Sequence, residues 1–396
     1  MTQYTDARAV VIGGSIGGLT VALLLRDLGF TVEVYERSSA ALSDRGSGIV
    51  LQPDTVRWFT ERSGQSLRDL STSTHYVQYL NRDRGVDHRE ERTYRYTAWG
   101  TIYRALLADF GSAHYHLGQH ATGFSQTTRT AAVRFAGGRT VSADLVVFAD
   151  GITSITRQQF DPDATLRYSG YVGWRGTHPQ SSLSRQAREV LSDALTFDVV
   201  TNSHAIVYPI PGEDGTGPEH QLANYVWYRN VAEGPELNKL LLDKRGTAGP
   251  VSVHPGQVQD HYIDELKAAA VQQLSPAVAE VVVATEMPYL QVVSDVRSAR
   301  MAQGRVALIG DAACGVRPHA AAGTAKAAAD AWTLARALSN AAGDVPAALA
   351  TWEPGQLELS DSLTRRVVAM GNRSQFTNSW TPGDPDLRFG LYGPGQ

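Results

Sequence analysis

The sequence predicts an α/β protein in which a mainly parallel sheet carries an inserted antiparallel sheet and is followed by a C-terminal helix. Three observations predict it. Residues 9–12, 145–148 and 306–309 are apolar throughout, as strands buried on both faces should be. Each of the three runs into a glycine or aspartate turn. Residues 171–228 instead hold aromatic and β-branched segments parted by turn residues, the pattern of antiparallel strands with one buried face.

Taken in order, the first strand runs into Gly13-Gly14-Ser15-Ile16-Gly17-Gly18. Val21, Leu24, Leu25 and Leu28 then recur at the spacing of a helix face, and Gly29 is a natural stop. A second apolar run, 32–35, ends on Glu36-Arg37. Strand, glycine turn, helix, strand and acid make up the Rossmann-like dinucleotide-binding unit. Gly13 permits the tight turn, and Gly18 lets helix and strand approach. The first amides of the helix face a pyrophosphate, and Glu36 is placed for a ribose diol. Ser15 stands where the middle glycine is usual, which is tolerable if its hydroxyl donates to phosphate. Such turns also occur without a ligand, and this one does not distinguish NAD from FAD.

Gly46 and Gly48 flank Ser47 and suggest a backbone that something approaches closely. Residues 54–62 read as a helix, 75–97 as a hairpin around Arg82-Asp83-Arg84-Gly85, and 99–110 as a helix. The strand at 145–148 ends in Asp150-Gly151, where open α/β sheets bind ligands, although a turn aspartate is an equal reading. Segments 196–200, 204–209 and 222–228 read as strands of the inserted sheet, and the helix 260–274 and strand 292–295 lead back. The strand at 306–309 enters Gly310-Asp311, followed by Pro318-His319, small residues 320–323 and an alanine-rich helix from Thr324. That turn suits a planar ring lying flat against backbone, with the helix amino end favouring an anion there, or simply close helix–strand packing. Residues 346–370 read as a helix, with Trp352 and Leu357 inward, and the remainder as a tail that only tertiary contacts would order. The boundaries drawn are 1–75, 98–170 and 287–345 for the nucleotide domain, 76–97 and 171–286 for the substrate domain, and 346–396 for the C-terminal helix and tail.

Composition narrows the class. The 396 residues are 42% hydrophobic and 19% charged, with a net charge of -4, which gives no support for nucleic acid or an anionic membrane as partner. One cysteine, Cys314, excludes an internal disulfide and a cysteine-based zinc site, and no histidine spacing suits a metal. No apolar run approaches the ~20 residues of a membrane span. The first strand starts almost at once, so no leader is expected. A soluble cytoplasmic enzyme is expected.

The glycine turn, Asp150-Gly151 and Gly310-Asp311 with its helix, in that order, resemble the three fingerprints of the FAD-dependent aromatic hydroxylases (group A flavoprotein monooxygenases) over roughly residues 8–345. The runs GIVLQP, GYVGWRG, YPIPG, WYRNVAEGPEL and GDAACGVRPHAAAGTAKAAADA are similar to the branch acting on 2,6-dihydroxypyridine and on pyridinols of antibiotic pathways (the piericidin type). The resemblance implies bound FAD, with NADH favoured over NADPH as the transient reductant. Gly13, Ser15, Ile16, Gly17 and Gly18 would hold the ADP part, with Glu36 and Arg37 at the adenosine. Asp150 would lie between FAD and the passing nicotinamide, and Gly310 and Asp311 would hold pyrophosphate and ribityl chain. Gly48, Ile49, Pro318, Ala321, Ala322, Gly323 and Thr324 would border the isoalloxazine. Three positions depart from the broader family: Trp99 for an arginine or glutamine, Cys314 for a histidine, and Ala321-Ala322 for Gly-Gln.

The implied reaction is NADH- and O2-dependent hydroxylation of an electron-rich hydroxypyridine through a flavin hydroperoxide, by a homo-oligomer acting on a small aromatic substrate. His204, Tyr208 and His319 are the candidates for assisting ring deprotonation. Gln52, Tyr208, Tyr225, Trp227 and His319 are the candidates for holding the ring, against the plainer reading of core packing. His204, Ile206 and Tyr208 share one parity and one face. The rival readings are a tailoring hydroxylase of a larger pyridinol or phenol, which a wide apolar channel would mark, and an NAD-dependent dehydrogenase, which would leave the second and third motifs unexplained. A flavin halogenase would need a W-x-W-x-I-P signature that the chain lacks.

Overall fold

The computed structural model describes residues 4–42, 47–83 and 85–396. Gly46 and Arg84, named above, lie outside them. The first sheet has six strands in the order Ala302–Gln303, Val306–Leu308, Leu145–Phe148, Arg8–Ile12, Thr31–Tyr35 and Tyr115–His116. All its pairings are parallel except that of the first two strands. Ile12 lies opposite Phe148, and Phe148 opposite Leu308. The three turns that follow therefore emerge side by side along one carboxyl edge. At Arg8–Ile12 the chain order reverses, the position where such sheets open a ligand crevice. Separation of the three motifs in sequence is cancelled by this register.

The helix Ile16–Asp27 packs one side of this sheet, and the helices Trp99–Phe110 and Gly323–Asn340 lie against it. A Cβ on Gly17 would come 2.9 Å from the Cβ of Ala327, so the two glycine- and alanine-rich helices meet almost backbone to backbone. A small meander, Ala121–Gln126, Ala131–Phe135 and Thr140–Ala143, leads into Leu145–Phe148.

The second sheet has nine strands: Ser252–Val253, Tyr289–Val296, Leu166–Pro179, Leu222–Asn230, Ser203–Ile210, Ala194–Val200, Thr72–Asn81, Gly85–Ala98 and Gly48–Leu51. It departs from the sequence reading in two ways. Ala194–Val200 pairs with Thr72–Asn81 in parallel, so the sheet is mixed rather than antiparallel throughout. Gly48–Leu51 and Tyr289–Val296, assigned by the drawn boundaries to the nucleotide domain, hydrogen-bond into this sheet. Apolar alternation marks a strand but carries no label for the edge that captures it.

The large sheet separates two cores. Its outer face packs on the helices Arg185–Leu191, Asp260–Gln273 and Pro276–Ala284 through residues such as Val207, Tyr225 and Trp227. Its inner face meets the alanine-rich helix, the helix Val345–Gln375 and the chain end. Trp352 is buried and Leu357 packs beside it, as expected. The tail is held by contacts: Trp380, Leu387, Phe389 and Leu391 are buried in the inner core. No helix among the described residues is long and apolar enough to cross a membrane.

Candidate active site

The nucleotide end of the crevice is built from absent side chains. A Cβ on Gly18 would fall 1.8 Å from the carbonyl oxygen of Gly13, and one on Gly13, at φ +99°, 2.3 Å from that of Ala149. A Cβ on Gly14 would strike the Tyr115 hydroxyl, which donates to the Gly14 carbonyl at 3.0 Å. Ser15 caps the helix with extended backbone and no side-chain cap bond, so its half-buried hydroxyl remains available to a phosphate. Ile16 is buried and anchors the first turn. Glu36 is buried, and its two carboxylate oxygens accept from Gly14 N–H and Ser38 N–H, each at 2.9 Å. Those bonds fix the carboxylate beside the turn while each oxygen keeps a further lone pair for a ribose hydroxyl. Arg37 is exposed and donates to Thr153 at 3.0 Å, tying the second strand to the loop after Asp150.

The two strand-end aspartates face the crevice with unused oxygens. Asp150 accepts from Thr156 at 3.3 Å through Oδ2, while Oδ1 is buried without a partner. Burial pushes its carboxyl up. Asp311 opens onto the crevice and its carboxylate makes no hydrogen bond among the described residues. Surrounding protein raises it to about 6, with Lys326 and Arg157 holding the rise back. Lys326 and Asp330 form a fully buried pair at 2.7 Å one helical turn apart, and Asp330 accepts from Gly310 N–H at 2.9 Å. The pair thus pins the left-handed Gly310 (φ +58°) that aims Asp311 outward. The glycine cradle, two helix starts, the unpartnered buried oxygen of Asp150 and the open carboxylate of Asp311 fit FAD, whose phosphates and ribityl hydroxyls would supply partners.

The late turn is held from below. Gln52 Nε2 donates to the carbonyls of Ala320 and Ala321 at 3.1 and 2.6 Å, leaving its Oε1 buried and unpartnered. Ala321 is left-handed at φ +51°, a conformation in which alanine is strained. Pro318, Ala321, Gly323 and Thr324 remain half-exposed along the crevice, whereas Ala322 is buried. Opposite them, Gly48 is clasped through its backbone: its N–H donates to Asn224 at 2.7 Å and its carbonyl accepts from Tyr208 at 2.7 Å. Any Cβ on Gly48 would collide with both side chains, at 2.8 and 2.7 Å. Ile49, half-buried, packs on the nucleotide core. Among the three departures, Trp99 stacks on Tyr103, and Cys314 is buried with its thiol pushed up by burial.

The inner face gathers the polar candidates. His204 lies opposite Tyr228, Ile206 opposite Val226 and Tyr208 opposite Asn224. Directly paired residues share a face, so the even positions of both strands look inward. His204 and His319 have ring centroids 5.3 Å apart, with Tyr228 beside both and Trp380 stacked on His204 at 4.8 Å. Burial lowers His204 to about 3 and takes His319 down as well, so both imidazoles are neutral near pH 7. Gln375 Nε2 reaches His204 Nδ1 at 3.4 Å, and Tyr171 meets His319 Nε2 at 2.7 Å. His204 Nε2, His319 Nδ1, Asn224 Nδ2 and Gln375 Oε1 are buried without partners. Buried polar atoms are almost always satisfied, so this set is open to the hydrogen bonds of a polar ring.

Two expectations fail. Tyr225 and Trp227 have odd parity and lie in the outer core; Trp227 donates to Ser203 at 2.8 Å, and neither faces the ring site. Tyr208 faces inward, but its hydroxyl is committed to Gly48 and burial raises its pKa, so it positions backbone and is not free to take a proton. Sequence reasoning missed Asn224, Tyr228, Tyr171, Gln375 and Trp380. Strand parity plus the pairing of 204 with 228 would have found the first two. Nothing local identifies the last two.

An adenine-nucleotide turn joined to a second turn shaped for a flat ring, roofed by a polar-aromatic sheet face, defines a flavin-dependent oxidoreductase. The comparisons narrow this. Residues 168–295 match the family model "FAD binding domain-like" and residues 247–364 the model "FAD binding domain". The chain is 38% identical over 396 residues to 2,6-dihydroxypyridine 3-monooxygenase of Paenarthrobacter nicotinovorans, covering 99% of this chain and 97% of that one. The structure of 2,6-dihydroxypyridine-3-hydroxylase from Arthrobacter nicotinovorans superposes with a TM-score of 0.92 at 37% identity, over 99% and 98% of the two chains. Klebsiella pneumoniae HpxO complexed with FAD and uric acid shares the fold at a TM-score of 0.78 and 20% identity, over 97% and 91%. The chain belongs to the FAD-dependent aromatic-ring monooxygenases.

Proposed function

We propose that this enzyme hydroxylates a hydroxypyridine ring using NADH and dioxygen. The observation that supports the reading is the 38% identity to a dihydroxypyridine monooxygenase across 99% of the chain, the ring-facing sheet included. When bound, FAD supplies a hydride acceptor and, once reduced, the activation of dioxygen. The chain's residues orient the ring and keep water out. Tyr171 stays protonated because burial raises its pKa, so it can donate to His319 Nε2 and leave the imidazole proton on Nδ1. His319 then acts as a neutral donor to a ring oxygen, and His204 Nε2, with Nδ1 engaged by Gln375, as a second. Asn224 Nδ2 and Gln375 Oε1 complement a ring nitrogen in either tautomer. Val226, Tyr228, Met370 and Trp380 form the dry wall around them. The tail residues Phe389 and Leu391 fill the same apolar cluster, which favours a single-ring substrate over one bearing a long chain.

The test is to mix the purified protein with NADH and a panel of hydroxypyridines and phenols, following cofactor loss and product mass. The reading expects one oxygen atom gained per NADH with a hydroxypyridine, and NADPH consumed more slowly. Turnover of simple phenols alone would overturn the pyridine assignment.

A further inference from the structure

We propose that Arg175 holds the ionised ring oxygen of the substrate and so selects rings whose hydroxyl can lose its proton. The proposal rests on the hydroxypyridine reading above. In register, Arg175 lies opposite Val226 on one side and Tyr289 on the other. Its side chain therefore belongs to the same inner face as Val226, Tyr228 and Asn224. Two residues before it stands Gly173, where a Cβ would press Tyr228 and Val226 at 3.3 Å, so that part of the face is kept low. Tyr289 hydrogen-bonds Ser47, next to the clasped Gly48, which places Arg175's neighbourhood beside the ring-bordering strand.

The guanidinium is uncommitted. Arg175 is half-buried, makes no hydrogen bond or ion pair among the described residues, and its Nε is buried without a partner. A buried donor of that strength is normally matched by a carboxylate or carbonyl. Of the other cations near this face, Arg317 forks onto Asp295 and reaches Asn372, and Lys326 is paired with Asp330. Arg366, on the helix below the tail, donates to the Gly390 carbonyl and has no carboxylate partner among the described residues, but it does not belong to the sheet. Arg175 is also the charge that pulls Tyr208 and Tyr228 downward against their burial, so its field reaches across the face. The two histidines, being neutral, supply hydrogen bonds without net charge. A ring that must become an anion before it is attacked thus meets an uncompensated positive group on the sheet, which favours its ionised form. A planar guanidinium can also grip a ring oxygen with two N–H bonds.

The test compares wild type, Arg175→Gln and Arg175→Lys, all loaded with FAD, for binding of 2,6-dihydroxypyridine and of 2,6-dimethoxypyridine, read from the flavin absorption change. Arg175→Gln is expected to weaken the dihydroxy ring by about tenfold or more, leave the dimethoxy ring within about twofold, and Arg175→Lys to recover part of the loss. A second measurement needs only wild type: ultraviolet titration of the bound dihydroxypyridine should show it ionised at a pH where the free ring is still neutral. Equal losses for both rings, no loss for either, or a bound ring that ionises no earlier than the free one would overturn the proposal while leaving the hydroxypyridine reading intact. If wild type binds neither ring, that reading fails and the proposal with it.

Discussion

The glycine turn at residues 13–18 and the inner face of the large sheet are both shaped to receive polar groups, yet they are made by opposite means. The turn works by subtraction: four glycines clear space and leave backbone amides open to a ligand. The sheet face works by addition: His204, Asn224, Tyr228 and Arg175 come from three strands whose register alone decides that they meet. A backbone site depends on local conformation and tolerates no added atom. A side-chain site tolerates substitution but depends on long-range pairing.

The first way to break this comparison carries the largest effect. Gly18→Ala puts a methyl 1.8 Å from the Gly13 carbonyl, and should yield protein that is colourless and at least ~3 kcal/mol less stable, checked by flavin content and urea unfolding. On the sheet face, His319→Ala should keep FAD but weaken hydroxypyridine binding by roughly 10- to 100-fold, as loss of one buried hydrogen-bonding group does. Third is acid sensitivity. Burial takes His204 from 6.5 to about 3, so as the pH falls below 6.5 the unfolded chain binds its proton first. The stability His204 contributes is complete above pH 6.5 and is lost progressively toward pH 3, amounting to about 2 kcal/mol between pH 7 and 5. The fall in unfolding free energy from pH 7 to pH 5, read by urea unfolding, should be larger in wild type than in His204→Asn by that amount. Ala321→Gly should relieve the left-handed strain and stabilise by ~0.5–1 kcal/mol without altering substrate choice, read by thermal unfolding. Smallest of all, Tyr225→Phe removes a buried hydroxyl that has no partner, and should change stability by less than ~1 kcal/mol and leave ring binding untouched.

The same contrast explains what could be read in advance. The placement of Gly13, Gly18, Glu36, Asp150 and Asp311 was legible because each is set by position relative to one strand end, and strand ends are visible in sequence. That the three ends converge follows from parallel pairing, which buried apolar runs predict. The facing of Tyr225 and Trp227 was not legible from residue type, since an aromatic on either parity looks alike until His204 is known to pair with Tyr228. Gln375 and Trp380 were hidden for another reason. They come from the end of a long helix and the segment beyond it, and reach His204 only through tertiary contact. Gly48–Leu51 was read as part of the first domain because nothing in it names Gly85–Ala98 as its neighbour.

The most direct test of the account sets the two faces of the large sheet against each other. FAD-loaded wild type, His204→Ala (inner) and Trp227→Phe (outer) are titrated with a hydroxypyridine while the flavin spectrum is followed. The account predicts a saturable spectral change in wild type and Trp227→Phe, and a change weakened at least about tenfold in His204→Ala. A ring response that survives in His204→Ala but disappears in Trp227→Phe would contradict it.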